Sequence, residues 1–460
     1  MHAISTEQAA RWCGGQWVPR PPEGPLDSIS IDSRTARPGT LFFALPGTRY
    51  DGHAFLPAVA AAGAYAVIRK SIPVEGHAGA VLRVEDPLTA LGNLAGSYRR
   101  EFSARVIGIT GSVGKTSTKE LAANLLSCMG KTVRTFGNFN NEIGVPLSLL
   151  QLEPDSRYGV FEAGIAHPGE MAPLRDMMQP DIVLVTRIGP VHIEFFDSVQ
   201  AIAEEKAVLL EQLPPNGFAL LDRDDACFSL LRARCAAPVI ACSMREGPAD
   251  YTGRWTADGR LLVHEAATGE HAAMAAPPPG AFMAENALKA VALGRRLGAT
   301  WEQVAAGLAM ESRVGMRWAV EERAGVVLIN DAYNANPVSL RAAAQAFAEW
   351  PVSGRRFLAL GPMLSLGRLK AAEHRALGRW LAAGNWAGIG LVPMADPDAV
   401  EELRAGFLDG GFPKDALHSG GYASVAAWLQ DRMEAGDALL LKASRGVRME
   451  ALLGEWKDGS

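Results

Sequence analysis

The chain has 460 residues, 48% hydrophobic and 21% charged, with a formal charge of −5. At roughly 150 residues per domain this predicts about three domains, each able to bury its own core. The composition excludes a disordered, collagen-like or coiled-coil chain, and the acidic balance argues against a nucleic-acid binder, which needs a basic excess to neutralise phosphates.

From Met1 to Trp17 there is no basic start followed by an apolar stretch, and Glu7 and Arg11 interrupt the segment. No secretory leader is expected, and since no apolar run reaches about 18 residues, no membrane insertion either. Five cysteines without a C-x-x-C pair suggest a reducing cytoplasm rather than a disulfide framework or a zinc site.

Residues 1–102 read as a small α/β domain. A proline-rich turn spans 19–25, apolar strand-like runs stand at 41–45 and 66–68, and a helix begins near Phe55 between them. Residues 103–312 change to a strand-then-helix rhythm, with short apolar runs at 106–110, 158–162, 181–186 and 218–222. Such alternation predicts a mainly parallel sheet covered on both faces. The segment 276–280 (Ala-Pro-Pro-Pro-Gly) reads as a connector inside this domain. A second α/β series over 313–460, with strands at 326–330, 357–361 and 438–442, predicts a Rossmann-like third domain. In open α/β sheets ligands collect at the carboxyl ends of the strands, and the polar motifs fall there.

The strongest motif runs through Thr110, Gly111, Ser112, Val113, Gly114, Lys115, Thr116 and Ser117, after an apolar strand and at the start of a helix. Glycines let backbone N–H groups curl toward an anion, and a helix N-terminus adds partial positive charge. Lys115 can then reach β/γ-phosphate oxygens and Thr116 can ligate Mg²⁺. A strict phosphate-loop pattern would put glycine at Ile109; here the first is Gly111. ATP is the expected ligand.

Glu162 ends the strand 158–162, where a carboxylate beside a phosphate loop suits a hard cation, although strand-end acids are often simple surface charges. His192 follows the next strand and is either structural or a ligand. The helix after Asp197 places Val199, Ile202, Lys206, Leu209, Leu210 and Leu213 on one face, so Lys206 stands where the period requires burial. Its stem can snorkel. Alternatively, a desolvated amine is easily neutralised, can take up carbon dioxide and can offer a carbamate oxygen to a metal near Glu162 and His192.

Taken together with Asp32-Ser-Arg, Asp51-Gly-His-Ala-Phe, Thr135-Phe-Gly-Asn-Phe-Asn-Asn, Asp331-Ala-Tyr-Asn-Ala-Asn-Pro and Leu441-Lys-Ala-Ser-Arg, these segments resemble the Mur ligase family of peptidoglycan synthesis over nearly the whole chain. The resemblance implies a UDP-muramyl-peptide-binding domain (1–102), a central ATP-binding domain (103–312) and a ligase domain (313–460). The Asn-Ala-Asn-Pro stretch favours the type that adds D-alanyl-D-alanine to UDP-N-acetylmuramoyl-tripeptide. The resemblance further implies that Lys115 and Thr116 serve ATP and Mg²⁺, and that Glu162, His192 and a carbamylated Lys206 hold the metal. Asn286 and Asp331 would contact the adenosine, and Arg317 the phosphate side. Ser33, Arg34, Asp51, Gly52, His53, Asn138, Asn141, Tyr333, Asn334, Lys442, Ser444 and Arg445 are then candidates for the peptide substrates. A cytoplasmic monomer acting through an acyl phosphate is expected.

Two departures stand out. Where the family usually has Gly-Asp-Met followed by a Glu, this chain reads Gly361-Pro-Met-Leu-Ser-Leu-Gly, and a usual His-Asn before Asn286 is replaced by Phe282-Met283. Two alternatives remain open: the same fold with another amino-acid acceptor, of muramyl or folylpolyglutamate type, and a non-catalytic protein that binds nucleotide and muramyl peptide.

Overall fold

The computed structural model describes residues 1–47, 50–73, 79–256, 258–275, 279, 281–311 and 315–456. Three sheets organise them. The first has strand order Gln16–Val18, Val81–Val84, Tyr65–Arg69, Thr40–Phe43, Ser28–Ser30; only its Gln16–Val18 edge is antiparallel. The helix Leu56–Ala61 precedes Tyr65–Arg69, so the apolar stretch after Phe55 is a short helix and a central strand; the helix lies at the surface rather than buried, with only Leu56 and Val59 turned inward.

The second sheet has nine strands, and its parallel heart reads Phe218–Asp222, Ile182–Val185, Arg105–Thr110, Tyr158–Glu162, Thr132–Arg134. All but the edge strand Thr132–Arg134 are almost wholly buried because both faces are covered, by the helices Lys115–Ser127 and Ala281–Arg296 on one side and by Met171–Met178 and Val199–Ala207 on the other. Chain order reverses around Arg105–Thr110, which is paired on both sides by later strands; the crevice this opens lies at its carboxyl end.

The purely parallel expectation needs extending. Past Val239–Ser243 the sheet continues through Tyr251–Trp255 into an antiparallel meander with Arg260–Glu265 and Glu270–Ala275. Here burial alternates residue by residue, because only one face is covered, so these strands lack the continuous apolar runs that mark the others. The connector read at 276–280 lies outside the described residues, apart from Pro279.

The third sheet runs Ala319–Arg323, Val326–Asn330, Ala438–Lys442, Arg356–Leu360, Gly388–Leu391, Leu417–Ser419, parallel except at its first strand. Val326–Asn330 and Arg356–Leu360 are separated by the last long strand, a second reversal of chain order. Its carboxyl ends face the middle sheet's crevice. At this seam the close approach of Gly367 to Glu194 leaves no room for a side chain, since a Cβ there would stand 2.6 Å from the Glu194 Cβ. Arg368 Nη2 donates to the Asp197 carbonyl at 2.9 Å across the same seam.

Candidate active site between the middle and third sheets

The phosphate loop is shaped by two glycines that no other residue could replace. Gly111 has φ +143° and Gly114 φ +88°; a Cβ on Gly111 would lie 2.0 Å from Thr186 Oγ1, and one on Gly114 2.6 Å from Asn286 Oδ1. The loop is fastened from below: the Ser112 and Val113 N–H groups donate to the Arg187 carbonyl, Ser112 Oγ to Gly189 O, and Thr110 Oγ1 to Ala163 O. The helix Lys115–Ser127 then starts with its first N–H groups lacking intrahelical partners, which is the anion-binding arrangement. Lys115 is curled back onto Gly111 O at 2.7 Å, and burial pushes its pKa down against the pull of Glu162. Asn286 accepts from Thr118 Oγ1 at 3.1 Å and so lies against the loop.

Glu162 is 1% exposed at the end of its strand. Its Oε2 accepts from Thr116 Oγ1 and its Oε1 from Asn140 Nδ2, both at 2.8 Å, while its N–H donates to Thr135 Oγ1. A hydroxyl and a carboxylate oxygen are the donor set that Mg²⁺ accepts when substrate phosphates supply further oxygens. Among the described residues no group of three or more His, Cys, Asp or Glu is placed to hold a metal unaided.

Lys206 fulfils the expectation of burial. Ser198 caps its helix by accepting from Ala201 N, and the side chain is only 3% exposed between Ile202 and the buried Leu209–Leu210 pair. It makes no hydrogen bond or ion pair with any described residue. Burial and the charge of Lys115 hold its pKa far below the ordinary lysine range, with Glu205, Glu162 and Glu170 in the same field pulling the other way. The snorkelling alternative fails here because the ammonium does not reach water. His192, held in a left-handed conformation at φ +57°, likewise has no hydrogen-bonded ring nitrogen; desolvation, Lys115 and Lys206 lower its pKa to about 4, so it is neutral near pH 7.

Across the crevice the third sheet contributes a denser network. The Arg317 guanidinium stacks on Tyr333 at 4.2 Å, its Nε buried without a partner, and it lies within the field of Lys115. Asp331 takes Trp318 N–H on one oxygen and Lys442 Nζ on the other. Lys442 is 3% exposed and gives its remaining bonds to Asp331 O and Asn334 O, so it orients this loop and has no ammonium hydrogen free for a substrate. Ser444 Oγ donates to Ala335 O, and Arg445 pairs with Glu450. Tyr333 and Asn138 meet across the gap. A cleft of about 140 Å³ brings His192 together with Asn334, Ser444 and Arg445.

The remaining sequence-predicted residues lie elsewhere or serve their own loops. Asn141 Oδ1 caps the chain at Ile143 and Gly144, and Ser117 sits in the first turn beside Thr116. In the first domain Asp51 caps the short helix Gly52–Phe55 and holds His53 Nδ1 at 2.6 Å, while Ser33 and Arg34 follow the cap Asp32. Among the described residues no hydrogen bond or ion pair joins these first-domain residues to the crevice. A larger surface hollow, about 580 Å³, between Ala3–Glu7 and the turn at Arg20–Pro25 is lined by no residue of the phosphate loop.

Sequence reasoning missed Asn140, which orients Glu162, and Lys119. The latter is 0% exposed and donates to Thr135 O at 2.8 Å and Gly137 O at 3.0 Å while pairing with Glu120, thereby fixing the loop that carries Asn138 and Asn140. Its signal was available: Lys119 lies one helical turn after Lys115 on the same face.

With this geometry in view, comparison with known proteins gives a consistent picture. Residues 25–99 match the model of the Mur ligase family catalytic domain, 109–294 the Mur ligase middle domain, and 316–445 the Mur ligase glutamate ligase domain. The UDP-N-acetylmuramoyl-tripeptide--D-alanyl-D-alanine ligase of Synechocystis is 35% identical over 94% of this chain and 92% of its own. A crystal structure of MurF from Acinetobacter baumannii superposes with a TM-score of 0.89 at 28% identity, covering 99% of both chains. MurF from Thermotoga maritima in complex with ADP gives a TM-score of 0.80 at 27% identity over 94% of this chain and 97% of that one.

Proposed function

Because this chain belongs to the Mur ligase family and is an ATP-dependent ligase, we propose that it joins D-alanyl-D-alanine to UDP-N-acetylmuramoyl-tripeptide in peptidoglycan precursor synthesis. The observation that carries the chemistry is a phosphate loop, a buried carboxylate and an unpartnered buried lysine gathered at one sheet reversal. Residues 1–102 are proposed to hold the muramyl peptide, 103–312 the ATP, and 313–460 the acceptor.

A carboxylate is a poor electrophile, so it must be activated before an amine can displace oxygen. The terminal phosphoryl group of ATP passes to the tripeptide carboxylate, giving an acyl phosphate and ADP; the dipeptide amine then attacks the acyl carbon, and phosphate leaves, with release of one amine proton, as the amide forms. Lys115 exchanges its bond to Gly111 O for phosphate oxygens and offsets the crowding of two anions, and Arg317 adds charge from the opposite wall. Thr116, Glu162, His192 and a carbamylated Lys206 would hold Mg²⁺, which when bound neutralises charge on the phosphates. The low pKa of Lys206 supports that modification, because only the free amine adds carbon dioxide, releasing one proton as the carbamate forms. Asn286 and Asp331 are proposed to position the adenosine, and Tyr333, Asn334, Ser444 and Arg445 the peptides.

ATP as substrate argues for the cytoplasm; among the described residues no helix is long and apolar enough to cross a membrane, and the five cysteines are unpaired. A monomer is proposed. The assay is phosphate release with UDP-muramyl tripeptide and a panel of acceptors, with the product identified by mass spectrometry. D-alanyl-D-alanine is expected to give an amide; release only with glutamate or another single amino acid would overturn the assignment, and binding without product would favour the non-catalytic alternative.

A further inference from the structure

The wall of the cleft formed by residues 361–366 follows the strand Arg356–Leu360, and its backbone donors from Gly361 to Leu364 are consumed internally. Gly361 N donates to Lys442 O at 3.0 Å, Pro362 has no N–H, Met363 N donates to His374 Nε2 at 2.9 Å, and Leu364 N donates to Ser444 Oγ at 2.9 Å. Carboxylates are absent from the wall as well. What it presents to the cleft is Leu364, Ser365 and Leu366, with Pro190 and Val191 opposite. The wall reads shape, and its shape depends on how its backbone is held.

His374 holds it. The residue lies in the helix Lys370–Ala382 and is 0% exposed. Its Nδ1 stands 2.7 Å from Lys370 O, a carbonyl that can only accept, so Nδ1 carries the proton and Nε2 is left as a bare acceptor for Met363 N–H. Both ring nitrogens are thereby committed. The adjoining backbone is strained, with Ser365 in the left-handed region at φ +60°, a conformation that persists only when surroundings over-determine it. Met363, with no side-chain exposure, fills the space beneath.

We propose that His374 is a positioning residue for the acceptor: its neutral, Nδ1-protonated ring fixes the 361–366 wall, and that wall selects a short acceptor with small apolar side chains by fit alone. The inference rests on the ligase reading above. It concerns the acceptor: among the described residues no hydrogen bond joins residues 361–366 to the phosphate loop or to the first domain.

The test uses the full chain with steady-state kinetics in all three substrates. His374→Asn keeps a group near Lys370 O but withdraws the acceptor from Met363 N–H, whereas His374→Gln can return an amide oxygen to it. The Asn variant is expected to raise KM for D-alanyl-D-alanine about tenfold, the effect of one lost buried hydrogen bond, with KM for ATP and tripeptide unchanged. The Gln variant should recover most of that loss. An unchanged dipeptide KM, or equal rises for all three substrates, would overturn the proposal by showing a merely structural role. Should the Asn variant not fold, Leu364→Ser alters the wall directly and must show the same acceptor-only signature for the inference to stand. Wild-type inactivity toward every dipeptide would sink the ligase reading itself, a result separable from an active wild type with an indifferent variant.

Discussion

The two walls of the crevice are built on opposite plans. On the middle-sheet side, Lys206 and His192 are buried or half-buried and bonded to nothing described; on the third-sheet side, Lys442, Ser444 and His374 have their polar atoms committed to neighbouring backbone or side chains. An unpaired buried amine costs stability and persists where chemistry uses it. A saturated network costs little and confers rigidity. The first wall is therefore proposed to supply reactivity and the second, apart from the unpartnered Arg317 guanidinium, shape. Lys119 shows that the distinction concerns partners rather than residue type: it is as buried as Lys206, yet it has three acceptors and acts as a pin.

The hardest blow to this contrast is Lys206→Ala. Product formation is expected to fall about a thousandfold, as when a transition-state charge stabiliser is lost, with thermal stability unchanged or raised. Acetate or formate should partly restore the rate by standing in for the carbamate. Retained activity, or a crystal showing the amine unmodified beside bound nucleotide, would dismantle the proposed reactive wall.

Lys119→Met should behave in the reverse manner. Removing the cation strands two carbonyls and leaves Glu120 paired with Arg134 alone, so urea denaturation is expected to report a loss of about 3 kcal/mol. Any rate loss should follow from the displaced Asn140 and Glu162, and the requirement for Mg²⁺ should rise with it. A stable variant with low activity would place Lys119 among the reactive groups instead.

The smallest effect lies in pH. Both His192 and His374 have folded pKa values lowered by burial, His192 to about 4. The unfolded chain binds protons on these residues as pH falls through about 6.5 while the folded chain does not, so stability rises with pH across that window. The contribution is complete above pH 6.5 and is lost as pH falls toward 4. Melting temperature recorded from pH 7 to 4.5 should decline by several degrees, and His192→Gln should flatten part of the slope. An unaltered slope would show that His192 is more hydrated than its packing indicates.

Much of the site was legible from the chain alone because its pieces are local. The phosphate loop needs glycines, a lysine and a helix start within eight residues, and those are consecutive. Lys206 was conspicuous because a charged residue broke an apolar helical period. The committed state of Lys442 was hidden, because Asp331 and Asn334 reach it from more than a hundred residues away. Asn140 stood inside a recognised segment, but its bond to Glu162 crosses between two strands' loops and has no sequence period. The antiparallel meander at 251–275 was missed because one-sided burial shortens and interrupts its apolar runs.

The sequence by itself determined the α/β rhythm, the phosphate loop and the anomalous lysine, since each depends on spacing within one element. Which buried lysine is paired, which imidazole nitrogen is free and which loop reads shape were decided only by the tertiary structure. Those properties depend on distances between elements far apart in the chain, and the desolvation that gives them their chemistry exists only once the sheets and helices have closed over them.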